Sequence, residues 1–551
     1  MNAIAFVIFA LVCFFLSYRF YSKFLAEKIW KLDPKAVTPA HQFNDGFEYI
    51  PSKWHIVWGH HFSSIAGAAP ILGPIVAAIW GWLPALLWII LGTMFLGAVH
   101  DFGVLVTSLR HEGRGIADYV KDLLGTRATQ LMYVVVFFCL VLVAAVFIHV
   151  IATLLSKYPA SVWSIWIEIP LAIAIGCLIH YKWRVNIIAA SLGAVAIMYG
   201  MIQVGILHPL ALSYDAWVVI TLIYMVIAAR LPVWLLVQAR DYINFHELII
   251  ALGILTIAVF ALGGGAQVVA PAVRSAPPGA PPIWPFVMIT IACGAISGWH
   301  SIVASGTSSK QIDNEQDARR IGYGAMLAEG YLSVIALITA VVGLGVAGYA
   351  KFYNAWGKAA WPAIWTEGGS NILGALHIPA AFAVAFMAVV AVSFANTTLD
   401  SAGRFTRIAV AECAKTFKGP KILQDRTVSI IPGIIVIALL CLPWLRRPPY
   451  GMLLWPLFGA TNQIMASLAL LASAVFLMML GRRIKYYIIP FIIMIITSMA
   501  AMGYAVVHDY IPKGQVPLAV IGIIVFLCAI GVVVVACQTF TKARKSEKER
   551  T

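Results

Sequence analysis

Apolar residues run in blocks of about 20 along nearly the whole chain, separated by short stretches that collect charge, Pro and Gly. A helix rises ~1.5 Å per residue, so each block is long enough to cross a hydrocarbon layer of roughly 30 Å. The apolarity is continuous rather than alternating, which excludes a porin-like barrel. The pattern predicts an all-α polytopic membrane protein with fifteen transmembrane helices, at 3–22, 57–80, 84–109, 130–156, 162–180, 186–207, 215–238, 247–264, 285–306, 321–349, 377–399, 428–445, 452–480, 486–507 and 516–538. The expected organisation is an extra N-terminal helix over 1–30, a central core over 55–400, additional C-terminal helices over 425–540, and a basic tail over 541–551.

Composition agrees with this pattern. Of 551 residues, 62% are hydrophobic and only 11% are charged, too few polar groups to coat a water-soluble fold of this size. The net charge of +15 is explained by topology rather than by nucleic acid. With the N-terminus outside and the C-terminus in the cytoplasm, 30 of the 38 Lys and Arg fall on inside segments and seven on outside ones. A miscounted span would scramble that split, so the asymmetry supports the parity of the count. The first block is followed by a basic segment without a small-residue cleavage site and is expected to remain as the first span. The two long outer loops, 263–282 and 351–371, read as connections rather than folded domains. The eight cysteines show no CxxC spacing and read as small core residues. No phosphate loop, HExxH or dinucleotide fingerprint occurs, so energy would come from an ion gradient, and no cofactor or metal is implied.

Helix breakers inside a membrane are tolerated where protein or a water-filled cavity satisfies the freed backbone groups. Three spans have them. The second contains Gly67-Ala68-Ala69-Pro70 and Gly73-Pro74, the seventh contains Arg230-Leu231-Pro232, and the ninth has a small polar face, Gly294, Ser297, Gly298, Ser301 and Ser305 to Ser309, with His300 among them. Close packing by Gly and Ser and simple kinking by Pro remain the alternative. The second and seventh spans lie five apart and are therefore antiparallel, as in a five-plus-five inverted repeat with halves at 55–207 and 215–400.

Ionisable residues within spans are expensive and need a partner or a task. Arg230 could hold a carboxylate in two-point fashion, or form a structural ion pair with Asp101 or Glu168. Asp101, beside His100, and Glu329 are candidates for a proton path, with a salt-bridge role as the alternative. His55, His60 and His61 could titrate, but adjacent histidines point to different helix faces and are weak metal ligands. His149 and His180 read as interface residues.

At these same positions the sequence resembles the carbon starvation protein A family of bacterial transporters. The matching strings are His60-His61-Phe62-Ser63-Ser64 through Pro74, Ala229-Arg230-Leu231-Pro232-Val233-Trp234 with Arg240-Asp241-Tyr242, and Ser297-Gly298-Trp299-His300 leading to Ser305-Gly306-Thr307-Ser308-Ser309-Lys310-Gln311. Phe394-Ala395-Asn396-Thr397-Thr398-Leu399-Asp400 and Leu454-Trp455-Pro456-Leu457-Phe458-Gly459-Ala460-Thr461-Asn462-Gln463 complete them. The resemblance implies a multi-pass transporter of the bacterial inner membrane that scavenges peptides or pyruvate when carbon is scarce. It also implies kinship with the amino acid, polyamine and organocation transporters, whose LeuT-like five-plus-five fold agrees with the repeat inferred above. The expected function is secondary symport of a small carboxylate-bearing nutrient coupled to H⁺, with Na⁺ as the other candidate ion; a nutrient sensor on a transporter fold is the alternative. Gly67, Ala68, Ala69, Pro70, Arg230, Trp299 and His300 are the expected substrate residues, and Ser305, Thr307, Ser308, Asp101 and Glu329 the expected ion-coupling residues. Substrate and bilayer are the expected partners, with no nucleic acid.

Overall fold

The computed structural model describes residues 2–46, 48–180, 186–232, 234–441 and 453–550; the side chains of His180 and of residues 543–550 lie outside this description. The expectations for Lys182, Arg184, Val233, Arg446, Arg447 and the side chain of His180 therefore fall outside it, as do the ends of the spans expected at 428–445 and 452–480.

The described residues are helical almost throughout. The longer helices are α1 (Ala3–Trp30), α2 (Trp54–Ile65), α3 (Ala69–Trp80), α4 (Trp82–Leu109), α5 (Ile116–Leu124), α6 (Thr126–Lys157), α7 (Pro159–Ile179), α8 (Ile187–Leu207), α9 (Tyr214–Arg230) and α10 (Val237–Gly265). They continue as α11 (Ile283–Thr290), α12 (Gly298–Gly306), α13 (Arg319–Gly343), α14 (Trp361–Leu373), α15 (Ala380–Thr416), α16 (Ile430–Cys441), α17 (Leu454–Met479), α18 (Lys485–Tyr510) and α19 (Val516–Lys542). Among the described residues eleven helices are long and apolar enough to cross a membrane, and twelve when α2 and α3, bent by 47° at their junction, count as one span. The other three expected spans coincide with the 17-residue α9, the interrupted α11 and α12, and the short α16.

Burial sorts the helices into two layers. The apolar stretches of α13, α17 and α6 are 89%, 83% and 78% buried, whereas those of α1 and α8 are 33% and 28% buried and present Phe9, Phe15, Ile188 and Ile197 outward. An apolar exterior is stable only against lipid, so the inner helices form the core and the outer ones its lipid-facing jacket. The longest helix, α15, begins near its expected start but runs 37 residues, roughly 55 Å, carrying Arg404, Arg407 and Lys415 well past an apolar layer.

Two loops differ from expectation. The 351–371 segment contains most of α14, whose Trp361, Ile364, Trp365, Gly368 and Ile372 repeat at helical spacing and are buried. Trp365 Nε1 donates to the Met387 carbonyl at 2.7 Å, and Asn371 Nδ2 to the Gly343 carbonyl at 2.8 Å. Its Gly and Trp content, read as loop-like, instead serves close packing: a Cβ on Gly343 would sit 2.2 Å from the Gly368 carbonyl oxygen. Likewise, α5 lies in a connection expected to be an inner loop and has Ile116, Tyr119, Val120 and Leu123 buried along one face.

The ends of the helices gather in two groups. At one end Ala3 N donates to the Ala266 carbonyl, Arg274 N to that of Trp80 and Val269 N to that of Val341. At the other, Arg110 joins Glu315 at 2.7 Å and the Trp30 carbonyl at 3.0 Å, while Ser52 N donates to the Gln311 carbonyl. The turn from α3 to α4 depends on Gly81, whose φ of +98° falls in the left-handed region and whose Cβ would lie 2.6 Å from the Ala272 carbonyl oxygen. Replacing Gly81 by Val is expected to destabilise the protein by ~1–3 kcal/mol, read as a lower melting temperature in detergent against wild type.

Candidate functional site

Two helix interruptions lie side by side in the core. The first, between α2 and α3, follows from Pro70 and Pro74, which lack the N–H groups that would bond the Ala66 and Pro70 carbonyls. Ser333 on α13 donates to the Pro70 carbonyl at 3.0 Å, replacing the missing Pro74 donor. The Ser64 carbonyl, just ahead of the break, accepts from Trp299 Nε1 at 2.9 Å. The second interruption spans 291–297, between α11 and α12, where Thr93 Oγ1 on α4 donates to the Gly294 carbonyl at 3.1 Å. A Cβ on Gly294 would stand 3.5 Å from Pro70 Cα, so the two breaks touch. A Cβ on Gly67 would be 2.4 Å from Thr398 Oγ1, which is why this position carries no side chain.

The start of α12 has no cap of its own. Asn462 on α17 supplies one: its Oδ1 accepts from Trp299 N at 2.9 Å and Ser297 Oγ at 3.2 Å. Trp299 is 2% exposed, with its ring 5.8 Å from that of Phe405.

Beside the breaks, four spans bring ionisable groups together. His300 Nδ1 lies 2.9 Å from Asp101 Oδ2, and its Nε2 is 3.1 Å from Glu329 Oε2, in ion-pair range without hydrogen-bond alignment. Asp101 Oδ1 meets His100 Nδ1 at 2.7 Å. All four side chains are fully buried. On α2, His61 Nδ1 contacts Ser308 Oγ at 2.8 Å, and His60 Nδ1 lies 2.6 Å from Asp241, which also accepts from Ser64 Oγ at 2.9 Å. Among the described residues no group of three or more His, Cys, Asp or Glu is arranged to hold a metal ion.

Gly67, Ala68, Ala69, Pro70, Trp299, His300, Asp101 and Glu329 are thus brought to one place. Arg230 is not. It ends α9 with an exposed side chain bonded to Thr427 Oγ1 at 3.3 Å, and the seventh expected span has no mid-span break. The buried arginine is Arg240, which the charge count assigned to an inner loop; α10 starts earlier than expected and carries it into the core against Glu168 and Asp400. Ser305 and Ser308 also depart from an open ion site: Ser305 Oγ donates to the Ser301 carbonyl and accepts from Ile116 N, Ser308 serves His61, and Thr307 is only half-buried. These oxygens fasten α12 to its neighbours. Asn462 and Ser333 went unrecognised as supports of the breaks; unsupported polar residues inside apolar spans were the available signal. His149 contacts the Tyr214 hydroxyl at 2.7 Å, and His55 is exposed.

The sequence profile of the family described as Carbon starvation protein CstA matches residues 2–360 and 358–501. The chain belongs to this family. A peptide transporter CstA from Campylobacter jejuni subsp. jejuni serotype O:2 is 31% identical over 549 residues, covering 87% of this chain and 77% of the relative. One from Bacillus subtilis (strain 168) is 29% identical, covering 96% and 97%, and the pyruvate/proton symporter BtsT of Escherichia coli (strain K12) is 29% identical, covering 91% and 81%. A manganese transporter of Eremococcus coleocola aligns over 91% of this chain and 99% of its own with 12% identity and a TM-score of 0.48, a level that does not define a shared fold. This CstA-family protein is accordingly a multi-pass secondary transporter of small nutrients in the bacterial inner membrane, not an enzyme.

Beyond the breaks, Glu48 ties three segments together, meeting Lys310 Nζ at 2.7 Å and Arg404 Nη2 at 3.1 Å. Burial opposes ionisation of Glu48, but the two cations outweigh it and hold its carboxyl below the ordinary carboxylate range. A lowered folded-state pKa contributes stability above the unfolded value of about 4.3 and loses it as pH falls through the folded one. Glu48→Gln is therefore expected to melt below wild type at neutral pH, with the gap closing in acid; a pH series of melts checks this. Asn462→Leu, which leaves the Trp299 N–H unpaired, is expected to lose ~1–3 kcal/mol, read in the same assay.

Proposed function

We propose that this protein imports a small carboxylate-bearing nutrient, a short peptide or pyruvate, by proton symport, and that substrate and proton meet where the two helix breaks touch. The observation that carries this reading is the fully buried Asp101, His300 and Glu329 line at the breaks. Two carboxylates flanking one imidazolium have a net charge of −1, and a second bound proton makes the group neutral. An anionic substrate in the same region is repelled by the first state and accepted by the second, so proton and substrate favour each other's binding. That reciprocity is the thermodynamic requirement for symport.

The substrate carboxylate is assigned to the opened backbone at Gly67 to Pro70 and the start of α12, with Trp299 and His300 against it. A separate cavity of about 130 Å³ lies beside the last turn of α12, lined by Ile116, Tyr133, Ile302, Ser305, Phe405 and Glu412. The names of the relatives, peptide transporter and pyruvate/proton symporter, support both the substrate class and the coupling ion.

The breaks also support a five-plus-five inverted repeat, with the second half beginning at α11 rather than at α9. In this register α2–α3, α4, α6, α9 and α10 correspond to α11–α12, α13, α15, α16 and α17, and α7 with α8 form an inserted pair. The short helices α5 and α14 then follow the second member of each half, and the long α6 and α15 pack together as its third. The N-terminus is placed outside and the C-terminus inside, supported by the basic excess and by the gathering of Arg110, Lys310, Arg404 and Arg482 at one end.

Uptake of labelled pyruvate and dipeptide into proteoliposomes under an inward proton gradient tests the proposal. His300→Gln and Glu329→Gln are expected to lose gradient-driven accumulation by roughly tenfold or more, ~1.4 kcal/mol per decade, while Arg230→Gln stays near wild type. Full accumulation by folded His300→Gln protein would retire the coupling site.

A further inference from the structure

A second buried network runs along the seam between α10 and α15, apart from the helix breaks. On α10, Arg240, Asn244 and Glu247 are spaced by four and three residues; on the antiparallel α15, Ser393, Thr397 and Asp400 have the same spacing. Each set therefore lies on one helix face, and the two sets pair as rungs. Arg240 Nη1 meets Asp400 Oδ2 at 2.8 Å, Asn244 Nδ2 donates to Thr397 Oγ1, and Glu247 lies against Ser393. Arg240 also grips Glu168 of α7 through two bonds, at 2.8 and 3.1 Å, and donates to the Tyr224 hydroxyl of α9 at 2.5 Å. Tyr199 of α8 also lies within electrostatic reach of Glu247. Toward α2 the network continues through Asp241 to His60.

Two counts point the same way. Setting aside the Asp241–His60 pair, Arg240 is the one cation bonded to Glu168 and Asp400 among the described residues, and these two already exceed its charge, so an ionised Glu247 would leave two uncompensated negative charges among these four buried groups. Hydrogen bonding is also unbalanced. Both Glu247 oxygens and Asn244 Oδ1 are buried acceptors without an aligned hydrogen bond, and the one hydroxyl proton of Ser393, which lies against Glu247, can satisfy only one of them. One proton on Glu247 lowers the charge and supplies the missing donor.

We infer that the α10–α15 seam is a second proton-binding site, in which Glu247 carries the proton at neutral pH. It deepens the proton-symport reading, but its occupancy is measurable without transport. Infrared spectra of the full chain in lipid nanodiscs at neutral pH are expected to show a protonated-carboxyl C=O stretch that Glu247→Gln removes and Glu247→Asp retains at a shifted position. Glu329→Gln, which tests the His300 group, is expected to leave that band in place. A band unchanged in Glu247→Gln, or lost only in Glu329→Gln, overturns the inference. So does a melting temperature raised by NaCl but not by choline chloride in wild type and insensitive in Glu247→Gln, because the orphan oxygens would then be ligands of an alkali cation. If Glu247→Gln fails to fold, the Glu247→Asp band shift decides: a shift supports the assignment and an unshifted band refutes it.

Discussion

A helix that breaks inside a membrane leaves N–H and C=O groups with no water to receive them, and the rest of this structure is arranged around two such breaks in contact. Pro70 and Pro74 remove consecutive donors from one face of the second span. The Ser333 hydroxyl on α13 replaces the Pro74 donor, the Trp299 indole and the Thr93 hydroxyl donate to the Ser64 and Gly294 carbonyls, and the Asn462 amide oxygen on α17 accepts from Trp299 N at the second break. These supports are why α4, α13 and α17 are among the more deeply buried helices: each must present a polar atom at a defined point to a neighbour's backbone.

The same constraint explains why the ionisable groups sit where they do. Beside the breaks, Asp101, His300 and Glu329 offset the cost of their full burial by pairing with one another. Imidazole is the suitable bridge between two carboxylates because it presents nitrogens on opposite sides and changes charge in the physiological range. Close helix approach, set by Gly67 and Gly294, brings the groups into contact; a methyl group at either position would separate the spans.

Away from the breaks, charge is handled in two different ways. At the end bearing Arg110, Lys310 and Arg404, ion pairs are partly hydrated and fasten loops to helix ends. In the α10–α15 seam a single arginine is surrounded by acids in a dry core. Exposed pairs of the first kind adjust readily to movement, whereas a buried network ties helix position to the number of protons it holds.

Helix class, membrane residence, the eleven or twelve long apolar spans of the described residues and the first break were legible in the sequence, because hydrophobic block length and proline chemistry are local properties. The resemblance strings over His60 to Pro74 and Ser297 to Gln311 likewise marked segments that meet in the core. Arg230 and Arg240 show the limit. Both lie near helix ends in a stretch of similar polarity, and a shift of a few residues in where α9 stops and α10 starts exposes one and buries the other. Span boundaries are set by how neighbouring helices pack, which no local pattern contains. The second break was visible only as a run of small and polar residues, equally suited to close packing, until Thr93 and Asn462 were seen to satisfy its backbone from 201 and 163 residues away in the chain. The sequence determined which residues could open a helix or carry a proton; the tertiary structure alone decided which of them share a site, because burial and hydrogen-bond partners come from helices distant in sequence.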